Sequence, residues 1–392
     1  MNLKKLLNSK AFQNISSIGF ANIVGNTISA LFWIYLAQLM SSESYGELGY
    51  LIAIVGIASN MSLLGGSYAI TVYTSKGVNI QPPIFLISLF SSIMGAVVIY
   101  FMFNNIGMSF YVIGFAVYSL VFAELIGMKM YKKWSKYFLL QKTSFVVLSI
   151  ILFYSIGIDG VIIGYAISYI IFLPRILKTF KISKFEFRIL KERAGFLINS
   201  YLLDLSVAGR IQIDKIIIGP FFGFALLGNY YLGLQVVAIF TTVPTIIFTY
   251  TLPADSTGES TKKIKILAVI ASFGLALLGV FVAPVIIPIV FPEYQELVDL
   301  IPILSLSIIP RTIATMYTSR FLGKEKSKHV AIGQSIGIVL LISGIFVLGQ
   351  ILEVTGLAIA FVLSASGHAV YLMLINYRQK RNEVNSVTGE KT

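Results

Sequence analysis

The sequence has no cysteine, only two histidines and two tryptophans, and 12% charged residues, where a soluble domain carries about 25%. Each shortage closes a class of function. Without cysteine there is no disulfide framework, no thiol nucleophile and no cysteine-ligated metal, although nothing follows about compartment. With His329 in a polar loop and His368 in an apolar run, no zinc motif and no Ser-His-Asp set stands out. No G-x-x-x-x-G-K-[ST] run occurs, so the chain does not itself bind ATP in a P-loop. The loops on one side of the apolar segments are short, which leaves little surface for an enzyme that builds polymers.

What is present is apolar surface. The 392 residues are 57% hydrophobic with a mean hydropathy of +0.86, and runs long enough to cross a bilayer fall at 12–40, 47–70, 83–104, 108–128, 137–156, 158–177, 195–219, 226–252, 265–291, 297–321, 329–352 and 355–377. The prediction is an all-α integral membrane protein of about twelve transmembrane helices with no room for a soluble domain. The opening MNLKKLLNSK leads into a span too long for a signal-peptide core, so the first helix is expected to remain as an anchor.

The net charge of +13 does not point to nucleic acid, because the charges are sorted by side. The N-terminus, the even-to-odd loops and the C-terminus, counted with the adjoining span ends, hold 26 Lys and Arg against 7 acids, and the six opposite loops with their adjoining span ends hold no Lys or Arg and 7 acids. This is the positive-inside pattern, which places both termini in the cytoplasm of a multi-pass protein of the inner (cytoplasmic) membrane.

The longest polar stretch, PRILKTFKISKFEFRILKERAG (174–195), carries seven Lys or Arg near the middle of the chain. It reads as a solvated cytoplasmic connector or as an amphipathic helix resting on anionic membrane lipids. Segments on either side of it repeat: IDGVIIGYAIS (158–168) aligns with VTGLAIAFVLS (354–364), and LIG (125–127) with FLG (321–323), at a constant offset of 196. Six spans per half is an even number, so both halves enter from the same side and are expected to be parallel repeats about an axis along the membrane normal. The domains expected are an N-terminal six-helix bundle (1–178), a basic connector (179–194) and a C-terminal six-helix bundle with a short tail (195–392).

One span is anomalous. SYLLDLSVAGRIQIDKIIIGPFF (200–222) carries Asp204, Arg210, Asp214 and Lys215, each costing about 2.5–3.5 kcal/mol at the centre of a lipid-facing helix. At about 100° per residue all four fall in one sector of about 140°, with Arg210 and Asp214 spaced as an i,i+4 pair. The readings are buried pairs that hold helices together or a wet cavity lined by charge; intramembrane ionisable residues usually mark pathways. Arg311, in mid-span with no acid within four residues, favours the cavity. Lys142 lies about 8 Å into its span and can snorkel to the surface. In the first span Asn22, Asn26, Ser29 and Trp33 share a stripe that suits either sugar contact or helix packing. Gln235 is a lone polar residue of the eighth span, and Glu124 lies near a span end and reads as reaching the interface. Prolines 244, 284, 288, 302 and 310 are expected to kink spans eight to ten.

YLAQLMSSESYGELGYL (35–51), DKIIIGPFFGFALLGNYYLG (214–233) before a helix ending TLPADS, and VFPEYQELVDLIPILSLS (290–307) together resemble the multidrug/oligosaccharidyl-lipid/polysaccharide (MOP) exporter superfamily, and within it the Wzx-type flippases of O-antigen and related polysaccharides. The resemblance covers nearly the whole chain through soft patterns of small, aromatic and apolar residues. It implies a MATE-like fold and, as function, flipping of a polyprenyl-pyrophosphate-linked oligosaccharide from the cytoplasmic to the outer leaflet by alternating access. No cofactor is implied, and a polysaccharide polymerase and glycosyltransferases would be its partners in polysaccharide biosynthesis. Relatives hold the pyrophosphate with cations in a central cavity, a role that falls here to Arg210, Lys215, Arg311 and Lys142, with Asn22, Asn26, Trp33 and Gln235 toward the glycan and Asp204 and Asp214 for ion coupling. Related lipid flippases have arginine in the first helix, where this chain has Asn22 and Asn26. Drug exporters of the superfamily often have an acid there. A drug or small-cation exporter of the same fold is the alternative, and a membrane-embedded enzyme a third reading.

Overall fold

The computed structural model describes residues 10–182, 186–256, 261–324 and 326–388. The residues before the expected anchor, part of the basic connector and the end of the C-terminal tail lie outside the described residues. Among those described, every regular element is helical. In chain order these are α1 (Lys10–Leu39), α2 (Ser42–Ser62), α3 (Gly66–Ser75), α4 (Gln81–Phe103), α5 (Ile106–Gly127), α6 (Tyr131–Ile156), α7 (Ile158–Ser168), α8 (Leu173–Ile182), α9 (Arg188–Glu192), α10 (Ala194–Phe222), α11 (Phe224–Ser256), α12 (Lys262–Phe281), α13 (Ala283–Val290), α14 (Leu297–Leu306), α15 (Ile308–Gly323) and α16 (Ser327–Thr388).

Nine helical segments among the described residues are long and apolar enough to cross a membrane, or ten with the bent α2–α3 pair counted as one span. The chain is a multi-pass membrane protein. Several expected spans are interrupted. The run 47–70 bends by 48° between α2 and α3, where Leu64 and Gly65 both take positive φ. A leucine there is strained, and Gly65 has a second reason to lack a side chain, because a Cβ would lie 2.4 Å from the Leu197 carbonyl oxygen. The prolines act selectively. Pro284 and Pro310 sit in the first turns of α13 and α15, where the missing N–H is not needed, just after breaks at Val282 and Ser307, whereas Pro244 lies within the continuous α11.

Backbone features recur across the offset of 196. Gly157 (φ 68, ψ −140) ends α6, and Glu353 (φ 49, ψ −124) breaks the 62-residue α16 in the same conformation. Three residues later the pattern repeats: a Cβ on Gly160 would lie 2.1 Å from the Leu152 carbonyl oxygen, and one on Gly356 would lie 2.0 Å from that of Leu348. Both glycines are required by close backbone approach in a tight helical hairpin.

The chain divides into two compact units, one of residues up to Phe32 with Leu48–Gln212, the other of Trp33–Glu47 with the chain from Ile213 onward. Thus the end of α1 and the start of α2 belong with the second unit, and the first part of α10 with the first.

The first unit has an aromatic interior. Tyr111, Tyr165 and Tyr169 meet with ring centroids 5.0–5.6 Å apart, Phe145 stacks on Tyr165 at 3.9 Å, and Trp134 stacks on Phe138 at 5.0 Å. Its buried ion pair corrects the expectation that Glu124 reaches the interface. Glu124 is 2% exposed and accepts from Arg175 Nε at 2.7 Å and from the Thr179 hydroxyl at 3.2 Å. The link ties α5 to α8, the amphipathic start of the connector. At the other end of α5, Asn105 caps the helix by accepting from Met108 N and donates to Asp159 at 2.6 Å.

Candidate substrate-binding site

The second unit holds the buried charges Asp214 and Lys215. α10 and α11 form a hairpin around Gly223, whose φ of 98° only glycine takes without strain. The hairpin brings Asp214 to Tyr230. Asp214 is 2% and Lys215 6% exposed. The Asp214 carboxylate accepts from Lys215 Nζ at 3.0 Å, from the Lys215 backbone N–H at 2.9 Å and from the Tyr230 hydroxyl at 2.9 Å. Lys215 and Tyr230 are thus partners of Asp214 that helical spacing, which pointed to Arg210, did not single out. Successive Cβ atoms diverge by about 100° around a helix, but the four-carbon lysine stem folds back far enough to close the pair.

From this pair an aromatic path runs both ways. Lys215 Nζ lies 6.0 Å from the Tyr231 ring centroid, and Tyr231 meets Trp33 edge-on at 6.0 Å and Tyr45 at 5.2 Å. The Tyr45 hydroxyl donates to the Trp33 carbonyl at 3.2 Å and that of Tyr294 to the Met40 carbonyl at 3.3 Å. The α1–α2 turn is seated on α11 by backbone contact: a Cβ on Gly46 would lie 1.9 Å from the Phe224 carbonyl oxygen, and one on Gly228 would lie 1.8 Å from that of Ser42. In the other direction Tyr230 meets Phe361 at 6.3 Å. The Arg311 guanidinium lies 5.5 Å from the Phe361 centroid and acts electrostatically on Tyr230. Gln235 is half-buried one turn beyond Tyr231.

The structure thus brings Trp33, Asp214, Lys215 and Arg311 into one continuous set, bridged by Tyr230, Tyr231 and Phe361. These bridging rings were not singled out from sequence, because a buried tyrosine reads as one more apolar residue. Their signal was the hairpin itself: NYYLG follows the Gly223 turn closely enough to face Asp214.

The remaining residues lie in the first unit. Asn22 is half-buried and Asn26 exposed on the α1 turn that contains Gly25. A Cβ there would lie 2.5 Å from the Phe138 ring and 3.2 Å from Lys142 Cγ, so α1 is packed hard against the stretch of α6 that carries Lys142. The Lys142 ammonium stands 5.6 Å from the Phe138 ring. Asp204 and Arg210 are half-buried on α10. One Asp204 carboxylate oxygen is buried with no hydrogen-bond partner among the described residues, and the group bears electrostatically on Tyr68. No group of three or more His, Asp or Glu suited to a metal ion occurs among the described residues.

No family profile matches the sequence, and no curated protein matches it. Solved structures do. A multidrug-resistance MATE-family transporter of the MOP superfamily in its inward-facing conformation superposes with a TM-score of 0.68 at 15% identity, covering 94% of this chain and 96% of that one. Such a transporter in its outward-facing conformation gives 0.63 at 13% identity over 99% and 98%. A MOP-superfamily transporter from Pyrococcus furiosus, whose binding pocket is described as having reverse polarity, gives 0.60 at 14% identity over 99% and 98%. The fold is that of the MATE transporters of the MOP superfamily.

Proposed function

We propose that this chain is an alternating-access transporter whose substrate is a polyprenyl-pyrophosphate-linked oligosaccharide, flipped from the cytoplasmic to the outer leaflet. The observation that carries this reading is the gathering of cationic and aromatic side chains in the second unit. Lys215 lies against Asp214 and Tyr231, and Arg311 stands over Phe361 beside Tyr230, so two cationic side chains and three rings meet around one buried cluster. A pyrophosphate bears at least two negative charges and many acceptor oxygens, and guanidinium binds such groups best where water is excluded. The aromatic faces of Trp33 and Tyr231 suit stacking against sugar rings. Asp204, with a buried oxygen that has no hydrogen-bond partner among the described residues, is the group for a coupling proton or cation, and Asp214 is the structural partner of Lys215.

The proposal includes twelve spans in two parallel six-helix repeats with both termini cytoplasmic. The 52-residue apolar run 328–379 supports two spans meeting at Glu353, α10 adds one that its four charges keep from the apolar count, and the matching geometry at Gly157 and Glu353 supports the repeat. The second reading is a MATE-like exporter of drugs or small cations, favoured by the multidrug transporters of the same fold. The P. furiosus protein, for which reversed pocket polarity suggests a different function, supports considering an anionic substrate on this framework.

Proteoliposome transport separates the two. A fluorescent polyprenyl-pyrophosphate glycan is expected to cross and a cationic dye to stay, with Arg311→Ala abolishing glycan movement and Arg311→Lys restoring it in part. Dye transport by the wild type with no glycan movement would establish the exporter. Asp204→Asn is expected to uncouple movement from an imposed pH gradient, and transport indifferent to proton and sodium gradients would remove that role.

A further inference from the structure

Tyr230 is fully buried on α11 and stands beside both of the cationic side chains gathered in the second unit. Its hydroxyl donates to the Asp214 carboxylate at 2.9 Å, and its ring meets Phe361 at 6.3 Å, the ring over which the Arg311 guanidinium lies. The two carboxylate oxygens are used unequally. Oδ1 accepts from the Lys215 backbone N–H at 2.9 Å and from the Lys215 ammonium at 3.0 Å, whereas Oδ2 is the oxygen that takes the Tyr230 hydroxyl. The torsion that turns an aspartate carboxylate is broad, so its plane is set by the groups that bind its oxygens. Lys215 follows Asp214 directly in the helix and meets it only by folding its stem back, so the place of the ammonium follows the place of Oδ1. Tyr231, the next residue after Tyr230, leaves α11 about 100° further round and stands 6.0 Å from the same ammonium.

We propose that Tyr230 is the positioning residue of the anion site: its hydroxyl fixes the plane of the Asp214 carboxylate and, through that plane, holds the Lys215 ammonium where the substrate phosphate is received. The part played by the phosphate rests on the transport reading above; the placing of the ammonium does not. A carboxylate free to turn can offer both oxygens to one lysine, and an ammonium has only three donors, so such a capture competes directly with a phosphate. With Oδ2 held by a phenol, the carboxylate offers Lys215 a single oxygen. A phenol suits this task because its oxygen sits at the end of a rigid ring, and here that ring is itself held by complete burial and by Phe361.

The test uses the purified full-length protein in detergent and Tyr230→Phe, which removes one oxygen and keeps the ring. Two quantities are read: the affinity for farnesyl diphosphate beside that for farnesol, and, with no ligand added, the ammonium nitrogen NMR signal of Lys215 in lysine-labelled protein, assigned by its loss in Lys215→Met. Tyr230→Phe is expected to weaken farnesyl diphosphate about tenfold, the scale of one hydrogen bond to a charged group, to leave farnesol unchanged and to shift the Lys215 signal alone among the lysines. In Asp214→Leu with Lys215→Met, where no carboxylate is left to orient, adding Tyr230→Phe is expected to change neither affinity. Phe361→Leu, which keeps the hydroxyl, is expected to leave the Lys215 signal in place. A loss of about tenfold that persists in the Asp214→Leu, Lys215→Met background overturns the proposal by making Tyr230 a direct ligand. A Lys215 signal that Phe361→Leu moves as far as Tyr230→Phe does overturns it in favour of ring packing. If the wild type binds farnesyl diphosphate no better than farnesol, the transport reading fails by itself: a Lys215 signal shifted by Tyr230→Phe still supports the positioning, and an unshifted one overturns it whichever substrate is carried.

Discussion

At the offset of 196 residues that separates Gly157 from Glu353, the first unit has rings where the second has charge. Phe115 and Tyr165 stand 196 residues before Arg311 and Phe361. Phe115 belongs to the aromatic interior, with Tyr111 and Tyr169 at 6.2 and 6.3 Å, whereas Arg311 lies over Phe361 near the Asp214–Lys215–Tyr230 set. Aromatic pairs contribute about 0.5–1.5 kcal/mol each beyond their burial. Buried charges are a weak source of stability, because desolvation offsets most of their attraction. The difference teaches that the second unit keeps an arrangement that stability alone does not select, while the first confines its buried ion pair, Glu124–Arg175, to the root of the connector helix.

The largest effect is expected from splitting the pair. Asp214→Ala leaves Lys215 buried without its carboxylate and should lower stability by about 3–5 kcal/mol, read as a fall in detergent melting temperature. Asp214→Leu combined with Lys215→Met, which replaces the pair by apolar side chains of similar size, should recover most of that loss. Failure of the double variant to recover would mean that the pair itself holds the fold, and the comparison would break.

Arg311→Phe tests the same contrast by placing at 311 the residue type found 196 positions earlier, at Phe115. Stability should change by less than about 1–2 kcal/mol, because a ring at this position keeps the contact with Phe361 that the guanidinium makes. Transport should fall about a hundredfold or more, the scale of removing one partner of a desolvated charge contact. A variant with full transport would reduce Arg311 to a packing residue and leave the two units functionally alike.

The membrane class and the all-helical architecture were legible in the sequence, since apolar run length depends on composition alone. What was not legible depended on where side chains end. Glu124 reads as an interfacial acid because its partner, Arg175, is 51 residues away, a distance that only packing closes. Lys215 falls on a different bearing from Asp214 at the level of Cβ and reaches it only through its flexible stem. The bend at Leu64–Gly65 sits in an unbroken apolar run, and Tyr230, Tyr231 and Phe361 carry no charge to mark them. Arg311 was the opposite case: an arginine without a nearby acid in mid-span is conspicuous, and it stands beside the cluster.

A smaller effect concerns the basic end of the second unit. Burial tends to raise the Asp255 carboxyl, but hydrogen bonds from Lys265, Ser319 and Thr261 outweigh it and hold the group below the usual carboxylate range. With the folded value depressed, the stabilisation is present above the unfolded value, near 3.9, and is lost as pH falls through the folded one. Asp255→Asn should therefore cost about 1 kcal/mol at neutral pH, the scale of a partly solvated pair, and the difference from wild type should shrink on acidification below pH 4. A difference that stays constant down to pH 3 would show that the asparagine variant fails for another reason.

The smallest effect has the opposite sign. Glu296, at the start of α14, is raised from its usual value by burial and then by the charge of Glu353, and it accepts a hydrogen bond from Asn229 at 3.3 Å. A carboxyl with a raised folded value is less stable charged than neutral, so the wild type should gain stability as pH falls through that value. Glu296→Gln keeps the acceptor for Asn229 and removes the repulsion. Because the residue is exposed, screening limits the gain at pH 7.5 to a few tenths of a kcal/mol, read as a small rise in melting temperature that disappears near pH 4, where the wild type is itself neutralised. Glu353 lies at the break of α16, where the corresponding residue of the first unit is the uncharged Gly157. The matching acid-end substitution there, Asp159→Asn, should show no such gain, because Asp159 accepts from Asn105 at 2.6 Å. Equal gains from both variants would remove this last difference between the units.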